Sequence, residues 1–295
     1  MAEHTTVKFN PSSSAKKGGE RVPCLVMMEG TYVGEIYRIE KGSVTIGRAD
    51  DADIVISDEG ISRKHFRIDR HENSFTVTDL GSTNGTYVNG APIKQSTLRD
   101  GDKITAGDVI LSFSYQDSID VNYREGLRNM AIRDGLTGLY NRRYLLDTLK
   151  REVSYAVRLR QPLTAVMFDI DHFKKINDNH GHAAGDLVLK TLGKALSEGL
   201  RAYDVFARYG GEEFVVLLRA TALDNALIFA ERLRKRTEDL SIEHEGKKIA
   251  VTISIGAAAL DPDQAQHPEA LVKEADRYLY EAKRRGRNRV CSPRG

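Results

Sequence analysis

The chain is poor in cysteine: two among 295 residues, Cys24 and Cys291, near opposite ends. With no framework spacing, they are expected to be free thiols in a reducing cytosol. Long hydrophobic runs are missing too. None approaches the roughly 18 residues of a membrane-crossing helix, and the segment after Met1 has no apolar signal core. A disulfide-stapled secreted scaffold and a helical membrane protein are thereby excluded. The expectation is a cytoplasmic protein with no membrane among its partners. Charge of one sign is also lacking: 44 Lys+Arg against 42 Asp+Glu give a net +2. Nucleic acid is therefore not an expected partner. What is there is ordinary for a globular chain, 40% hydrophobic and 29% charged residues, in a length that suggests about two domains.

Residues 1–21 are polar and rich in Ser, Lys and Gly, and are expected to form a tail. Residues 22–116 carry short alternating runs, among them "SVTIGR", "HFRIDR", "SFTVTDL" and "DVILSFSY". Gly, Asp and Asn punctuate these runs, which predicts an all-β sandwich. In the segment 117–134, Ile119, Tyr123, Leu127 and Met130 recur at helical spacing. That stripe could pair with a second copy of itself or pack on its own domain, and about two heptads are too few for a coiled-coil assignment. Residues 135–295 alternate helix and strand. A helix is expected from Asn141 to about Arg160, then a strand "PLTAVMFDI", helices around "HFKKIND" and "AGDLVLKTLGKALSEGL", and a hairpin "DVFARYGGEEFVVLL". Both hairpin arms are almost continuously apolar, so they should be central strands covered on both faces in an α+β layer.

The stretch "RYGGEEF", Arg208–Phe214, asks for an explanation. Gly210–Gly211 between two strand patterns reads as a two-residue hairpin turn. Glu212 and Glu213 would then start the returning strand, one facing the open surface of the sheet and the other away. A lone turn glutamate is usually just solvated. A second acidic site changes the weighting: "FDIDHFKKIND" puts Asp169 and Asp171 at the end of an apolar strand, where carboxylates are too costly for decoration. Asp169 and a hairpin glutamate, if they converge, make an oxygen cage for Mg²⁺, which takes carboxylates plus substrate phosphates. The following helix offers free N–H groups to a triphosphate, with Lys174 in its first turn. Lys283 and Arg287 lie four apart in "AKRRGRNR". Alone they read as a solvated helix end; beside the carboxylates they favour a nucleotide site.

The motifs "DGLTGLYNRRY", "FDIDHFKKINDNHGHAAGD", "RYGGEEF" and "AKRRGRNR" resemble the GGDEF family of diguanylate cyclases, in its Glu variant, from roughly Ile132 to Val290. The resemblance implies a palm-like nucleotidyl-cyclase fold. It also implies condensation of two GTP into cyclic di-GMP, with loss of two pyrophosphates, by a homodimer whose domains meet face to face. Asp169, Glu212 and the Ile170 carbonyl would hold Mg²⁺ or Mn²⁺, two ions per active site. Glu213 would assist at the 3′-hydroxyl or at a second metal. The catalytic groups would thus be Asp169, Lys174, Glu212 and Glu213. Phe173, Gly210 and Gly211 would line the substrate, Asn177 and Asp186 would read the guanine edge, and Lys174, Lys283 and Arg287 would hold phosphates. Asp186 can accept from guanine N1–H and N2–H₂, donors adenine does not present there, so GTP alone is expected. "RAYD" resembles the family's product-inhibition motif: Arg201 and Asp204, with Arg232 on the next helix, would bind cyclic di-GMP.

In the β region, "TIGRADDADIVI", "ISRKHF" and "DLGSTNGTYVNG" resemble the forkhead-associated (FHA) domain. This implies phosphothreonine-peptide binding by Arg48, Ser62, Arg63, Thr83 and Asn84, with arginine on the phosphate; His65 is expected to order loops. The resulting expectation is a two-domain chain, an all-β FHA sandwich followed by an α+β GGDEF domain, acting as a cyclase regulated by phosphothreonine. Its ligand would be a separate protein or the chain's own tail, at Thr5 or Thr6. The competing reading is an FHA adaptor whose GGDEF domain binds nucleotide without turning it over. The presence of Asp169, Lys174, Asp186 and Glu212 weighs against it.

Overall fold

Alternation dominates the first half of the chain, and the computed structural model folds it as paired sheets. Residues 20–293 are described, apart from 31–32, 50, 57, 73, 202 and 262–266. Thr5 and Thr6, proposed as phosphorylation sites in the tail, lie outside the described residues. The chain divides into two units, residues 1–126 and 127–295.

The first unit contains β1 (Arg21–Glu29), β2 (Ile36–Arg38), β3 (Ser43–Gly47), β4 (Ile54–Val55), β5 (Phe66–His71) and β6 (Ser74–Asp79). It continues with β7 (Thr86–Val88), β8 (Ala91–Ile93), β9 (Gln95–Leu98), β10 (Lys103–Ala106) and β11 (Val109–Asp117). One sheet runs β2-β1-β11-β10-β7-β8 and the other β4-β3-β5-β6-β9. Inward residues of both sheets, including Leu25, Ile46, Phe66, Ile68, Ile104 and Phe113, form one buried core, which makes this the expected sandwich. Arg21, counted in the expected tail, already belongs to β1.

Helix α1 (Ser118–Ile132) follows directly. Val121 is fully buried, and Arg38 on β2 ion-pairs with Glu125 at 3.0 Å, tying the first half of the helix to the sandwich. The apolar stripe is not covered: Ile119, Tyr123, Leu127 and Met130 are 61%, 67%, 50% and 81% exposed. Of the two readings left open by the sequence, packing of the stripe on its own domain is not what forms.

The second unit contains β12 (Tyr140–Asn141), α2 (Arg142–Leu159), β13 (Leu163–Ile170), α3 (Phe173–His180), α4 (His182–Ser197), β14 (Val205–Gly210) and β15 (Glu213–Arg219). Then come α5 (Leu223–Glu238), β16 (Ile242–His244), β17 (Lys247–Ile249), β18 (Ile253–Ala259), α6 (Glu269–Arg284) and β19 (Val290–Cys291). Helix α2 begins where Asn141 accepts a hydrogen bond from Tyr144 N at 3.0 Å, an N-cap. The sheet runs β12-β14-β15-β13-β18-β19, so both hairpin arms are interior, as their apolar runs predict. One face packs against α3, α4 and α5, the other against α2 and α6. On the first face Phe168 and Phe214 stack, centroids 5.1 Å apart, beneath the hairpin.

The hairpin turn is not the expected glycine pair. Gly210 ends β14 and pairs with Glu213, and the register shifts between Arg208 and Gly210. The two turn residues are therefore Gly211, at φ +41°, and Glu212. A bulge in β14 absorbs one residue and moves Glu212 from the strand to the tip.

Candidate nucleotide and metal site

Strand β13 is buried at all eight positions. Its alternation sends Val166, Phe168 and Ile170 into the core under α3–α5, and Ala165 and Met167 into the core under α2 and α6. Asp169 falls in the second set. Its cross-strand partners are Glu213 on β15 and Ser254 on β18. Lys283, in the last turn of α6, reaches the same face: its Nζ lies 2.8 Å from Asp169 Oδ2. Burial pushes the Asp169 carboxyl above its ordinary range, against the opposing pull of Lys283. Glu212 and Glu213 are raised as well, first by burial and then by the charge of Asp169. Both hairpin glutamates thus sense the charge of Asp169. The cluster is three mutually repelling carboxylates beside one ammonium, a donor set short of positive charge.

Among the described residues, no three His, Cys, Asp or Glu side chains close a metal cage by themselves. The oxygen donors present are the carboxylates of Asp169, Glu212 and Glu213, the ligand type of Mg²⁺, which uses one or two carboxylates and fills its shell with water and phosphate oxygens. The residues present therefore fit a hard divalent cation that arrives with a phosphate ligand.

The tip is held from outside the hairpin. Arg208 Nε donates to the Gly211 carbonyl at 2.9 Å, and its Nη1 donates to both oxygens of Asp134 at 3.2 Å. Asp134 also accepts from the backbone and hydroxyl of Thr137, at 2.9 and 2.7 Å. The Asp-Gly-Leu-Thr turn that follows α1 is thus fastened to the acidic tip. Arg208 and Asp134 had no assigned role from sequence; their positions within two of the motifs were the available signal.

Phosphate and base positions lie on α3 and α4. No side chain caps the N-terminus of α3, whose N-cap residue is His172. Lys174 is exposed in the first turn, whereas Phe173 is buried. Asn177 is half-buried and Asp186 exposed. They are brought together where α3 meets α4: a Cβ on Gly185 would lie 2.0 Å from Asn177 Oδ1 and 3.1 Å from Phe173 Cζ. Gly185, one residue before Asp186, went unassigned in the sequence. Arg287 follows α6, and its charge, like that of Lys283, acts on Asp169.

Asp171 lies beside this cluster, where its charge also raises Asp169. Its carboxylate accepts from Ser254 Oγ at 2.6 Å, Thr252 Oγ1 at 2.8 Å and the Asn288 backbone N–H at 3.0 Å.

The Arg201–Asp204 segment forms a separate site. Asp204 Oδ2 accepts from Arg201 N at 3.1 Å, while buried Oδ1 has no hydrogen-bond partner among the described residues. Burial raises the Asp204 carboxyl. Arg201 is exposed. Arg232 donates to the Gly199 carbonyl at 3.2 Å, so it reaches the same end of α4, and it lines an open groove of about 760 Å³ along α5 with Ile228 and Arg236.

In the sandwich, the loops carrying Arg48, Ser62–Arg63 and Thr83–Asn84 converge. Arg48 Nε donates to Ile61 O at 3.2 Å, Thr83 N to Ser62 Oγ at 2.9 Å, and Asn84 Nδ2 to Gly60 O at 3.0 Å. Arg48 and Arg63 are exposed. His65 is fully buried between these loops: Ser62 N donates to its Nδ1 at 2.9 Å, which leaves Nε2 to donate to Gly85 O at 3.2 Å. The loop-ordering role expected of His65 is what this geometry describes.

Residues 131–289 match the family model "Diguanylate cyclase, GGDEF domain". The chain belongs to the GGDEF diguanylate cyclase family. Residues 44–107 match the FHA domain model, so an FHA domain precedes the GGDEF domain. Among similar proteins, the response regulator PleD of Caulobacter vibrioides is 44% identical over 178 residues, 60% of this chain and 39% of that protein. Diguanylate cyclase A of Treponema denticola is 44% identical over 168 residues, 56% of this chain and 45% of that protein. The chain therefore spans less than half the length of these curated relatives. A solved structure, the coiled coil and GGDEF domain of DgcB from Caulobacter crescentus in complex with c-di-GMP, aligns with TM-score 0.56 at 30% identity, covering 59% of this chain and 92% of that one. Among the described residues no helix is long and apolar enough to cross a membrane.

Proposed function

We propose that this GGDEF chain condenses two GTP into cyclic di-GMP and two pyrophosphates. The observation that carries the reading is the buried Asp169 opposite Glu213, with Glu212 at the tip and Lys283 as the cation in contact. Asp169, Glu212 and the Ile170 carbonyl would hold Mg²⁺ or Mn²⁺, two ions per site. Such ions, when bound, favour the 3′-oxygen as nucleophile and neutralise the departing pyrophosphate. The chain's own residues do the positioning on which phosphoryl transfer depends. Lys174 and the first N–H groups of α3 receive the triphosphate, and Lys283 and Arg287 approach it from the α6 side. Asn177 and Asp186 bind the guanine edge, and Asp186 excludes adenine because it can only accept. Glu213 takes the proton of the 3′-hydroxyl as that oxygen bonds to the α-phosphorus of the facing GTP and the bond to the β-phosphate oxygen breaks.

Each GGDEF domain holds one GTP, so two chains must meet. The exposed stripe on α1 supports a parallel pairing of two copies upstream of Asp134, and Asp134 is linked through Arg208 to the hairpin tip. The FHA domain would read a phosphothreonine peptide at Arg48, Ser62, Arg63, Thr83 and Asn84 and thereby alter that pairing. Cyclic di-GMP would feed back at Arg201, Asp204 and Arg232: a guanine N–H supplies the donor that buried Asp204 Oδ1 lacks.

The test is incubation with GTP and Mg²⁺ followed by chromatography, beside Glu212→Ala. Cyclic di-GMP from the parent and none from the variant is expected. Equal product from both would refute the assigned site.

A further inference from the structure

The turn after α6 is strained. Gly286, Arg287 and Asn288 have φ of +112°, +65° and +46°, three successive left-handed residues of which two are not glycine. Such residues persist only where their surroundings over-determine them. Arg287 N donates to Ala282 O at 3.0 Å, and Ile255 N to Arg289 O at 2.9 Å, which pins both ends of the turn. The Asn288 side chain is held by α5: Arg234 donates to its Oδ1 at 2.8 Å, and its Nδ2 donates to Glu238 at 2.8 Å. The remaining constraint comes from beneath, where the Asn288 N–H donates to Asp171 Oδ2.

Asp171 is 5% exposed and sits one residue beyond the end of β13. Its three donors are two hydroxyls and one backbone N–H. The hydroxyls of Thr252 and Ser254 can rotate to donate or accept, so they adapt to whatever stands at 171. The Asn288 N–H can only donate. The specific demand on residue 171 is therefore an acceptor at one point, under the turn that carries Arg287.

We propose that Asp171 is a positioning residue for the triphosphate: by holding the Asn288 N–H it fixes the left-handed turn that aims Arg287 at the phosphates. Asp171 does not touch the nucleotide itself. Its carboxylate is taken up by these three donors, so its part is distinct from metal holding. The inference rests on the nucleotide reading of the preceding section. The chemistry recognised is the polyphosphate of a nucleoside triphosphate, and the role of Asp171 is transmitted through Arg287.

The experiment is calorimetric titration of the full chain, with Mg²⁺, using a GTP analogue whose α,β-bridging oxygen is a methylene group. Asp171→Ala removes the acceptor of a half-buried N–H and is expected to weaken binding about tenfold. Asp171→Asn can still present an oxygen to Asn288 while its amide donates to a hydroxyl, so its affinity should stay within about threefold of the parent. Arg287→Ala should weaken binding, and adding Asp171→Ala to it should weaken binding no further, because neighbours acting as a unit are not additive. Where Asp171→Ala fails to fold, Asp171→Leu, which fills similar space without an acceptor for Asn288 N–H, substitutes for it: a loss of affinity in the parent that vanishes in the Arg287→Ala background supports the proposal, and no loss overturns it. Unchanged affinity in Asp171→Ala, or losses that multiply with Arg287→Ala, would overturn it while leaving the nucleotide reading intact. A parent that binds no analogue would remove both.

Discussion

Gly185→Ala separates guanine recognition from folding. Gly185 lies in α4, where alanine is preferred over glycine by about 1 kcal/mol on helix propensity. The added Cβ would stand 2.0 Å from Asn177 Oδ1, 3.0 Å from its Cγ and 3.1 Å from Phe173 Cζ. The closest atom is the end of a flexible side chain, so the amide can swing aside, and the Phe173 ring needs only a few tenths of an ångström. Propensity gain and local crowding of about 1–3 kcal/mol nearly offset, so the thermal midpoint should move by only a few degrees. Asn177, however, no longer points where it does. Loss of one neutral hydrogen bond is worth about 0.5–1.5 kcal/mol, and a factor of ten is about 1.4 kcal/mol. The expected result is a Kd for GTP raised several-fold to about tenfold, with most of the change in KM and little in kcat. The assay is titration with a guanine nucleotide beside a melting curve. A folded Gly185→Ala chain that binds GTP as tightly as the parent would refute the placement of guanine against Asn177.

Other perturbations address other parts. Arg208→Lys keeps a charge near Asp134 but loses the fork that also reaches Gly211 O; kcat should fall about tenfold with an unchanged melting curve, and full activity would refute a role for the tip anchor. Leu127→Glu/Met130→Glu puts charges on the exposed stripe; light scattering should show loss of the dimer together with loss of product, and activity surviving in a monomer would sink the pairing proposal. Burial holds the His65 imidazole below its ordinary pKa of 6.5, so the unfolded chain binds more protons than the folded one. The His65 contribution to FHA stability is complete above about pH 6.5 and is lost as pH falls through the lowered folded value; denaturant melts of the parent and His65→Phe between pH 7.5 and 5 should show the parent's steeper loss. Lys283→Met leaves Asp169, Glu212 and Glu213 without their ammonium; the metal-free melting midpoint should fall, and Mg²⁺ with a GTP analogue should restore it.

Much of this site is legible in sequence because it follows from short-range rules. Strand alternation alone predicts that an acid at 169 ends a buried strand, and the apolar arms around the hairpin predict its central position in the sheet. The turn was misplaced by one residue because a bulge leaves no local mark when two glycines adjoin it. Asp171 was read only as a second strand-end acid: its partners Thr252, Ser254 and Asn288 are 81, 83 and 117 residues away, contacts that exist only once β18 and the turn after α6 close over it. The Arg208–Asp134 pair, 74 residues apart, is tertiary in the same sense. Exposure of the α1 stripe depends on what surrounds it, which periodicity cannot tell.

The most direct test of the account is a mass balance. The parent chain is incubated with GTP and Mg²⁺, and cyclic di-GMP and pyrophosphate are both quantified. The account predicts one cyclic di-GMP and two pyrophosphates for every two GTP consumed. GTP bound and recovered unchanged, at high chain concentration and with phosphothreonine peptide present, would contradict it and leave a nucleotide-sensing adaptor.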